Sequence, residues 1–178
     1  VIGGRSATGA AVNNHVFLGF AEPGATPTAP TLKGNVTGGY GATATDNTVE
    51  ILAGTLDGSV YGGYATTAGT PATTGTPPTA EVSALRNNKV TLRDGVTVTG
   101  NVYGAYAAAN ASSMTAATDS NTIDLYKAVI DGTIYGGMAQ DAAGHDVVSG
   151  KNNTLAVHAR GAKADDFVGV QNLRFYDP

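Results

Sequence analysis

One sequence feature constrains the fold of this chain more than any other, a motif that returns several times along its length. The full copies, at residues 47–64, 88–106 and 121–138, read NTVEILAGTLDGSVYGGY, NKVTLRDGVTVTGNVYGAY and NTIDLYKAVIDGTIYGGM. A broken copy begins at Asn14, a partial copy begins at Asn153, and VIGG at residues 1–4 matches the end of an earlier copy. Units of roughly 30 to 40 residues are the signature of architectures in which each repeat stacks on its neighbours.

Each copy contains two stretches in which side chains alternate in type. In the first stretch of one copy, Val49 and Ile51 flank Glu50. In the second stretch, Leu56 and Val60 recur on one face with the same period of two. Alternation of this kind with β-branched residues indicates strands that have one buried face. We therefore predict an all-β chain.

Stacking the equivalent strands in register, about 4.8 Å apart, would place like residues above one another. The predicted aliphatic ladder is Val60, Val102 and Ile134, and the predicted asparagine ladder is Asn47, Asn88, Asn121 and Asn153. A buried asparagine is costly unless its amide is hydrogen-bonded, and a column of asparagines can bond along the stack. These ladders predict one domain over residues 1–178, a single-stranded parallel β-helix of about five coils. Its units would begin near Asn14, Asn47, Asn88, Asn121 and Asn153.

The second stretch of each copy also carries inward-facing glycines, which indicate that another backbone approaches closely. This glycine pattern is expected to end after Val157, where a more aromatic sequence follows. Residues 158–178 are therefore predicted to form a divergent cap or junction. The connections at residues 20–31, 65–85, 107–120 and 139–151 differ in length, and their Ala/Thr/Ser-rich composition favours solvated connectors over recognition surfaces.

Composition excludes several classes of function. Lys and Arg total 10 against 14 Asp and Glu, and the basic residues are scattered, so nucleic acid is not an expected partner. No run of about 18 apolar residues occurs, so no transmembrane segment is predicted. The chain has no cysteine, which excludes disulfides and thiolate metal sites and is compatible with an extracellular location. Because the chain starts within a motif, we expect it to be a processed or excised piece.

Two acidic residues raise the possibility of catalysis. Asp57 and Asp131 fall in one outward column with Thr99 between them, so two ladder steps would separate them by roughly 9 to 10 Å. Such a spacing is close to that of the carboxylates in inverting glycosidases. However, Asp-Gly pairs also suit bends and solvated strands, and no arginine joins the column. We therefore predict no enzyme, no catalytic residue and no cofactor, with a carbohydrate-active β-helix enzyme as the alternative.

A cation site is a weaker candidate. His145 lies between Asp141 and Asp146 in one connection, but the alternating Asp spacing of a calcium loop is missing. A solvated loop is the favoured interpretation, and no metal is predicted.

Three tyrosines form the candidate binding strip. Tyr61, Tyr103 and Tyr135 share the outward face of equivalent strands, so they are expected to stack as an exposed aromatic ladder. Such a strip could bind sugar rings or dock another molecule. The alternative, which we favour, is a self-stacking ladder that stabilises the sheet, with or without a loop over it.

The copies NNKVTLRDGVTVTGNVYGAYA and NTIDLYKAVIDGTIYGGMA resemble the Gly/Asn/Thr-rich repeats in passengers of bacterial autotransporters. The closing VQNLRFYDP is similar to the segment that often ends such a repeat region. The resemblance implies a right-handed parallel β-helix, secretion across the outer membrane, and a role in surface display, adhesion or aggregation. It implies no catalytic residues.

Together these patterns predict a structural or adhesive repeat segment that is extracellular or on the bacterial cell surface. The expected partners are further copies of the chain, joined head-to-tail or laterally, or glycans and proteins of a host or bacterial surface. Head-to-tail joining is expected because a stack of strands exposes unpaired edges at both ends. The remaining alternative is a glycan-binding module that uses the tyrosine strip.

Overall fold

The described part of the chain is built from β-strands. In the computed structural model, residues 1–7, 9–19, 29–65, 85–108, 118–140 and 143–176 are described. The prediction of an all-β chain is confirmed, because these residues contain strands and no helix. The expected connections at residues 20–31, 65–85 and 107–120 lie largely outside them.

The strands of the first half are β1 (Ile2–Arg5), β2 (Ala10–Val12), β3 (His15–Leu18), β4 (Thr31–Lys33), β5 (Val36–Gly41), β6 (Thr43–Thr45), β7 (Thr48–Ile51), β8 (Gly54–Asp57) and β9 (Val60–Ala65). Those of the second half are β10 (Lys89–Leu92), β11 (Val96–Val98), β12 (Val102–Ala107), β13 (Thr122–Leu125), β14 (Val129–Tyr135), β15 (Met138–Gln140), β16 (Asp146–Val148), β17 (Thr154–Val157), β18 (Lys163–Val168) and β19 (Asn172–Phe175). Most are short, as expected where the chain changes direction several times in each copy.

Equivalent strands of successive copies pair with one another. The first stretches form a six-stranded sheet in the order β19-β17-β13-β10-β7-β3. The second stretches form a larger sheet along β1-β5-β9-β12-β14-β11-β8-β4. Within the described ranges every strand pair is parallel except β15–β16. The parallel sheets curl into a half-barrel.

The core lies between the two large sheets. Val60, Val102 and Ile134 are neighbours in register and are fully buried. From the opposite sheet, Val90 and Ile123 reach the same apolar cluster and are equally buried. Each copy therefore contributes the same few aliphatic side chains to one apolar cluster, next to those of its neighbouring copies.

A left-handed residue precedes each ladder asparagine and makes the corner into the first strand. The residues with positive φ at these corners are Asn13, Asp46, Asn87, Ser120 and Asn152. Asn and Asp tolerate this backbone region better than other residues with a side chain, so their recurrence before the ladder asparagine has a physical reason. The signal is present in the sequence as repeated Asn-Asn and Asp-Asn pairs, although the sequence analysis did not use it.

A glycine column packs against the asparagines, and it corrects one expectation. A Cβ on Gly38 would lie 2.5 Å from the carbonyl oxygen of Gly62 and 3.1 Å from the Cβ of Asn47, so the position has no room for a side chain. The column does not end after Val157. Each glycine of the column faces the carbonyl oxygen of the glycine in the next copy, and Gly136 faces that of Gly169 in the same way, so Gly169 continues the column. In addition, β18 pairs with β14 and β19 pairs with β17. The segment that was expected to depart from the pattern thus continues the parallel pairing.

Candidate functional site

The asparagines form a continuous chain of side-chain hydrogen bonds. The side-chain amide nitrogens donate to the next side-chain oxygen from Asn47 to Asn88 (2.9 Å), from Asn88 to Asn121 (3.0 Å) and from Asn121 to Asn153 (3.1 Å). Each accepting oxygen also receives the backbone N–H of the preceding asparagine, as in the 3.0 Å bond from Asn88 N to Asn121 Oδ1. At most 1% of any of these four residues is exposed. The predicted ladder positions are therefore buried and bonded to one another.

The two ends of the ladder differ from its middle. At one end Asn14 Nδ2 donates to Asn47 Oδ1 at 2.8 Å, and at the other Gln171 Oε1 accepts the backbone N–H of Asn153 at 2.9 Å. Gln171 thus occupies the next ladder position, which the sequence analysis missed because the residue type changes. Asn153 Nδ2 is the buried side-chain polar atom that has no partner among the described residues.

The three predicted tyrosines stack on one another. The ring centroids of Tyr61 and Tyr103 are 4.7 Å apart with planes 3° apart, and those of Tyr103 and Tyr135 are 4.8 Å apart with planes 11° apart. Only 7% of Tyr103 is exposed, so the expectation of an exposed ladder is wrong at its centre. The physical reason is that rings stacked at the strand spacing cover each other's faces.

A second tyrosine column, absent from the sequence prediction, covers the first column from the side. It consists of Tyr40, Tyr64 and Tyr106 and continues to Met138 in register. Tyr64 meets Tyr61 edge to face, with centroids 5.1 Å apart, and Tyr106 meets Tyr103 in the same way at 5.3 Å. Residues three apart on an ideal strand face opposite sides, so the spacing in YGGY and YGAY did not predict this contact.

Asp146 on β16 approaches the same surface. The hydroxyl of Tyr106 donates to Asp146 Oδ1 at 2.7 Å, and β16 pairs antiparallel with β15 beside it. Burial, followed by this hydrogen bond, raises the pKa of Tyr106, and burial raises the pKa of Tyr103 to about 12. These two phenols are therefore neutral at physiological pH and present hydroxyl groups rather than charge.

The other candidate residues are not brought together into a site. Asp57 and Asp131 are exposed, and Thr99 Oγ1 donates to Asp57 Oδ1 at 3.3 Å between them, which is the arrangement of a solvated strand surface. Asp141 lies outside the described residues, and Asp146 is bonded to Tyr106. Among the residues whose positions are given, no group of three His, Cys, Asp or Glu side chains could hold a metal ion.

A mixed column of stacked side chains lies on the six-stranded sheet. Arg93 lies 4.4 Å from the Tyr126 ring centroid, the Tyr126 and His158 rings stack at 4.3 Å, and the His158 and Tyr176 rings stack at 4.5 Å. Asp124 is 6% exposed, and its carboxylate oxygens lie 2.7 Å from Lys89 Nζ and 3.0 Å from His158 Nε2. Because the residue types differ between copies, this column becomes visible only once the register is known.

Comparison of the chain with protein-family models, with curated proteins and with solved structures finds no match. The described residues contain no helix that is long and apolar enough to cross a membrane. Proposals about function therefore rest on the geometry of the chain itself.

Proposed function

We propose that the chain is a segment of a parallel β-helix with a structural role, as a stalk or tile of a secreted or surface-displayed repeat protein. The observation that carries this proposal is the in-register parallel pairing of successive copies around a continuous asparagine ladder. In such an arrangement each copy contacts mainly its two neighbours, so length can be added without changing the core. The same arrangement resists bending, because every copy is hydrogen-bonded along the long axis.

The proposed location outside the cell rests on sequence features. The resemblance to autotransporter passengers, the 13% charged residues and the absence of cysteine all fit a chain that is exported before it folds. Adhesion or aggregation at a bacterial surface is the corresponding biological role.

Display on intact cells tests this proposal. The chain would be fused between the leader and the translocator barrel of an unrelated bacterial autotransporter. We expect added protease to leave a resistant fragment close to the size of the chain. A Val102→Asp control, which places a charge in the core, should be displayed only in a protease-sensitive form. Retention of the original chain in the periplasm, or its complete digestion on the surface, would contradict the proposal.

We also propose that copies of the chain join head-to-tail. The two edge strands of the six-stranded sheet are β19 and β3, and both carry exposed apolar side chains, 73% exposed at Phe175 and 49% exposed at Phe17. Placing β19 of one copy beside β3 of another would continue the parallel pairing, because Gln171 and Asn14 occupy equivalent ladder positions. An unpaired apolar edge favours pairing with another chain.

Sedimentation velocity over a range of concentrations tests the joining. Association is expected to increase with concentration in the original chain and to be lost in Leu173→Pro, because proline on the edge strand removes a hydrogen-bond donor. Asp94→Pro serves as the control, because Asp94 is the second residue of a turn closed by the bond from Val96 N to the carbonyl oxygen of Arg93, and this turn position accepts proline. A monomer at every concentration would rule out this mode of assembly.

A further inference from the structure

The first tyrosine column ends at Tyr61 on β9, two strands before its sheet ends at β1. Thr37 is the in-register neighbour of Tyr61, and Ile2 is the next neighbour beyond Thr37. Tyr103 covers one face of the Tyr61 ring, whereas on the other side a small side chain stands where a further tyrosine would stack. A cavity of about 310 Å³ opens at this point, and its lining is Val1, Ile2, Asn35, Thr37, Tyr40, Tyr61 and Tyr64. This cavity is called the Thr37 slot below.

The width of the Thr37 slot suits one ring. Two ladder steps separate the Tyr61 and Ile2 side chains, which is roughly 9 to 10 Å. A ring placed between them needs about 3.5 to 4 Å to the atoms of each wall, so a single six-membered ring fits and a second does not. Tyr40 and Tyr64, themselves stacked with centroids 5.3 Å apart, add aromatic surface beside the slot. Its volume is at the small end of the range for ligand pockets.

The rim of the slot is polar, and it carries the α-ammonium group of Val1, which donates to the carbonyl oxygen of Asn35 at 2.8 Å. Asn35 Oδ1 accepts the backbone N–H of Ser59 at 2.9 Å, which fixes the side chain and leaves its amide nitrogen as a donor. Thr37, which is 5% exposed, adds a hydroxyl at the floor of the slot, and the three tyrosines add theirs at its sides. Tyr61 and Tyr64 keep their phenolic protons at neutral pH, as ordinary tyrosines do, and burial raises the pKa of both further, so each hydroxyl serves as a donor or acceptor.

We propose that the Thr37 slot binds one pyranose residue of a polysaccharide. A pyranose has C–H groups on its faces and hydroxyl groups around its edge, which matches an aromatic wall, an aliphatic wall and a polar rim. The ligand would lie against the free face of Tyr61 rather than along the whole tyrosine strip, because the faces of Tyr103 are covered. This binding site goes beyond the structural role proposed above and does not depend on export or on self-association.

The experiment uses the whole chain and tetra- to hexasaccharides of glucose, galactose, N-acetylglucosamine and galacturonic acid, with binding measured by calorimetry or by NMR shifts. At least one series is expected to bind. Thr37→Tyr should extend the column onto Tyr61, fill the slot and weaken binding at least tenfold. Thr55→Tyr makes the same change at an exposed position on β8 and should bind as the original chain does.

A second variant guards against misfolding of the first. Tyr61→Leu removes the aromatic wall and keeps an apolar side chain, so at least a tenfold loss of binding is expected, with melting curves confirming the fold. Binding that survives in a folded Thr37→Tyr or Tyr61→Leu chain would overturn the proposal. So would the failure of every oligosaccharide to bind at millimolar concentration, or binding only of aromatic compounds such as indole or adenine.

Discussion

At the scale of single residues, the asparagine ladder is the feature on which the fold depends most. A buried amide that loses its partner costs about 1 to 3 kcal/mol, whereas each satisfied hydrogen bond contributes a smaller net amount. Inside the ladder every asparagine serves as donor and acceptor, so replacing one residue leaves groups unpaired on both sides. Position along the ladder should therefore determine the effect of a substitution.

We expect Asn88→Ala to lower the free energy of unfolding by about 2 to 4 kcal/mol, because it breaks bonds to Asn47, Asn121 and the carbonyl oxygen of Ala44. Asn153→Ala should cost roughly half as much, because Asn153 Nδ2 has no partner among the described residues to lose. Urea unfolding of the two variants measures the difference. Equal losses would show that the hydrogen bonds do not determine the stability of these positions.

At the scale of the strand, the sequence predicted the faces and the register of the repeated elements. Alternation with a period of two fixes which side chains point inward, and an asparagine at a constant offset fixes the alignment of one copy on the next. Tyr64 was missed because it contacts Tyr61 across three residues, which simple alternation does not allow. Gly169 and Gln171 were missed because the connection before them differs in length and the ladder residue changes from Asn to Gln.

The glycine column should tolerate no side chain. We expect Gly104→Ala to destabilise the chain by about 3 kcal/mol, because the added Cβ would lie 2.5 Å from the carbonyl oxygen of Gly136 and 2.9 Å from the Cβ of Asn121. Gly95→Ala is the control, because nothing lies within 4 Å of its Cβ and only its left-handed backbone, with φ of +81°, opposes the change. Gly95→Ala should lower the free energy of unfolding by only about 1 kcal/mol. Thermal or urea unfolding measures the difference between the two variants. Similar losses of stability in both would mean that crowding in the column does not cause the destabilisation.

The stacked tyrosines should make the fold sensitive to alkali. The pKa of Tyr103 lies at about 12 in the folded chain against 10.0 for an ordinary tyrosine, because burial disfavours the phenolate. The contribution of the neutral Tyr103 phenol to the free energy of unfolding is therefore complete below about pH 10 and is lost as the pH rises towards 12. Chemical unfolding at a series of pH values measures this loss. In Tyr103→Phe the free energy of unfolding should fall less steeply as the pH rises. An identical fall in the two chains would mean that other groups cause the effect.

At the scale of the whole molecule, most contacts between copies are made with the nearest neighbours. If the proposed stacking is right, stability should grow with the number of copies, as it does in repeat proteins whose units contact only their neighbours. The open edges and the Thr37 slot both follow from the same arrangement, since each marks a place where a column stops.

We expect a second copy of residues 121–152, inserted after residue 152, to raise both the free energy of unfolding and its dependence on denaturant. The physical reason is that the added copy buries its apolar face against both neighbours. A Gly/Ser segment of equal length at the same position should lower stability. Rapid cleavage of the duplicated residues by protease, with no change in the denaturant dependence, would contradict this prediction. It would show that the added copy does not fold against its neighbours.

The asparagine ladder has a direction. From Asn14 to Asn121 each amide nitrogen donates to the asparagine of the copy that follows in sequence, and the last acceptor is Asn153 Oδ1, so the amide dipoles align instead of cancelling. The row therefore begins with the amide oxygen of Asn14 and ends with the buried amide N–H groups of Asn153. Two molecules that met by their like termini would bring identical partial charges together, so lengthening of the row is polar, like that of a filament with distinct plus and minus ends.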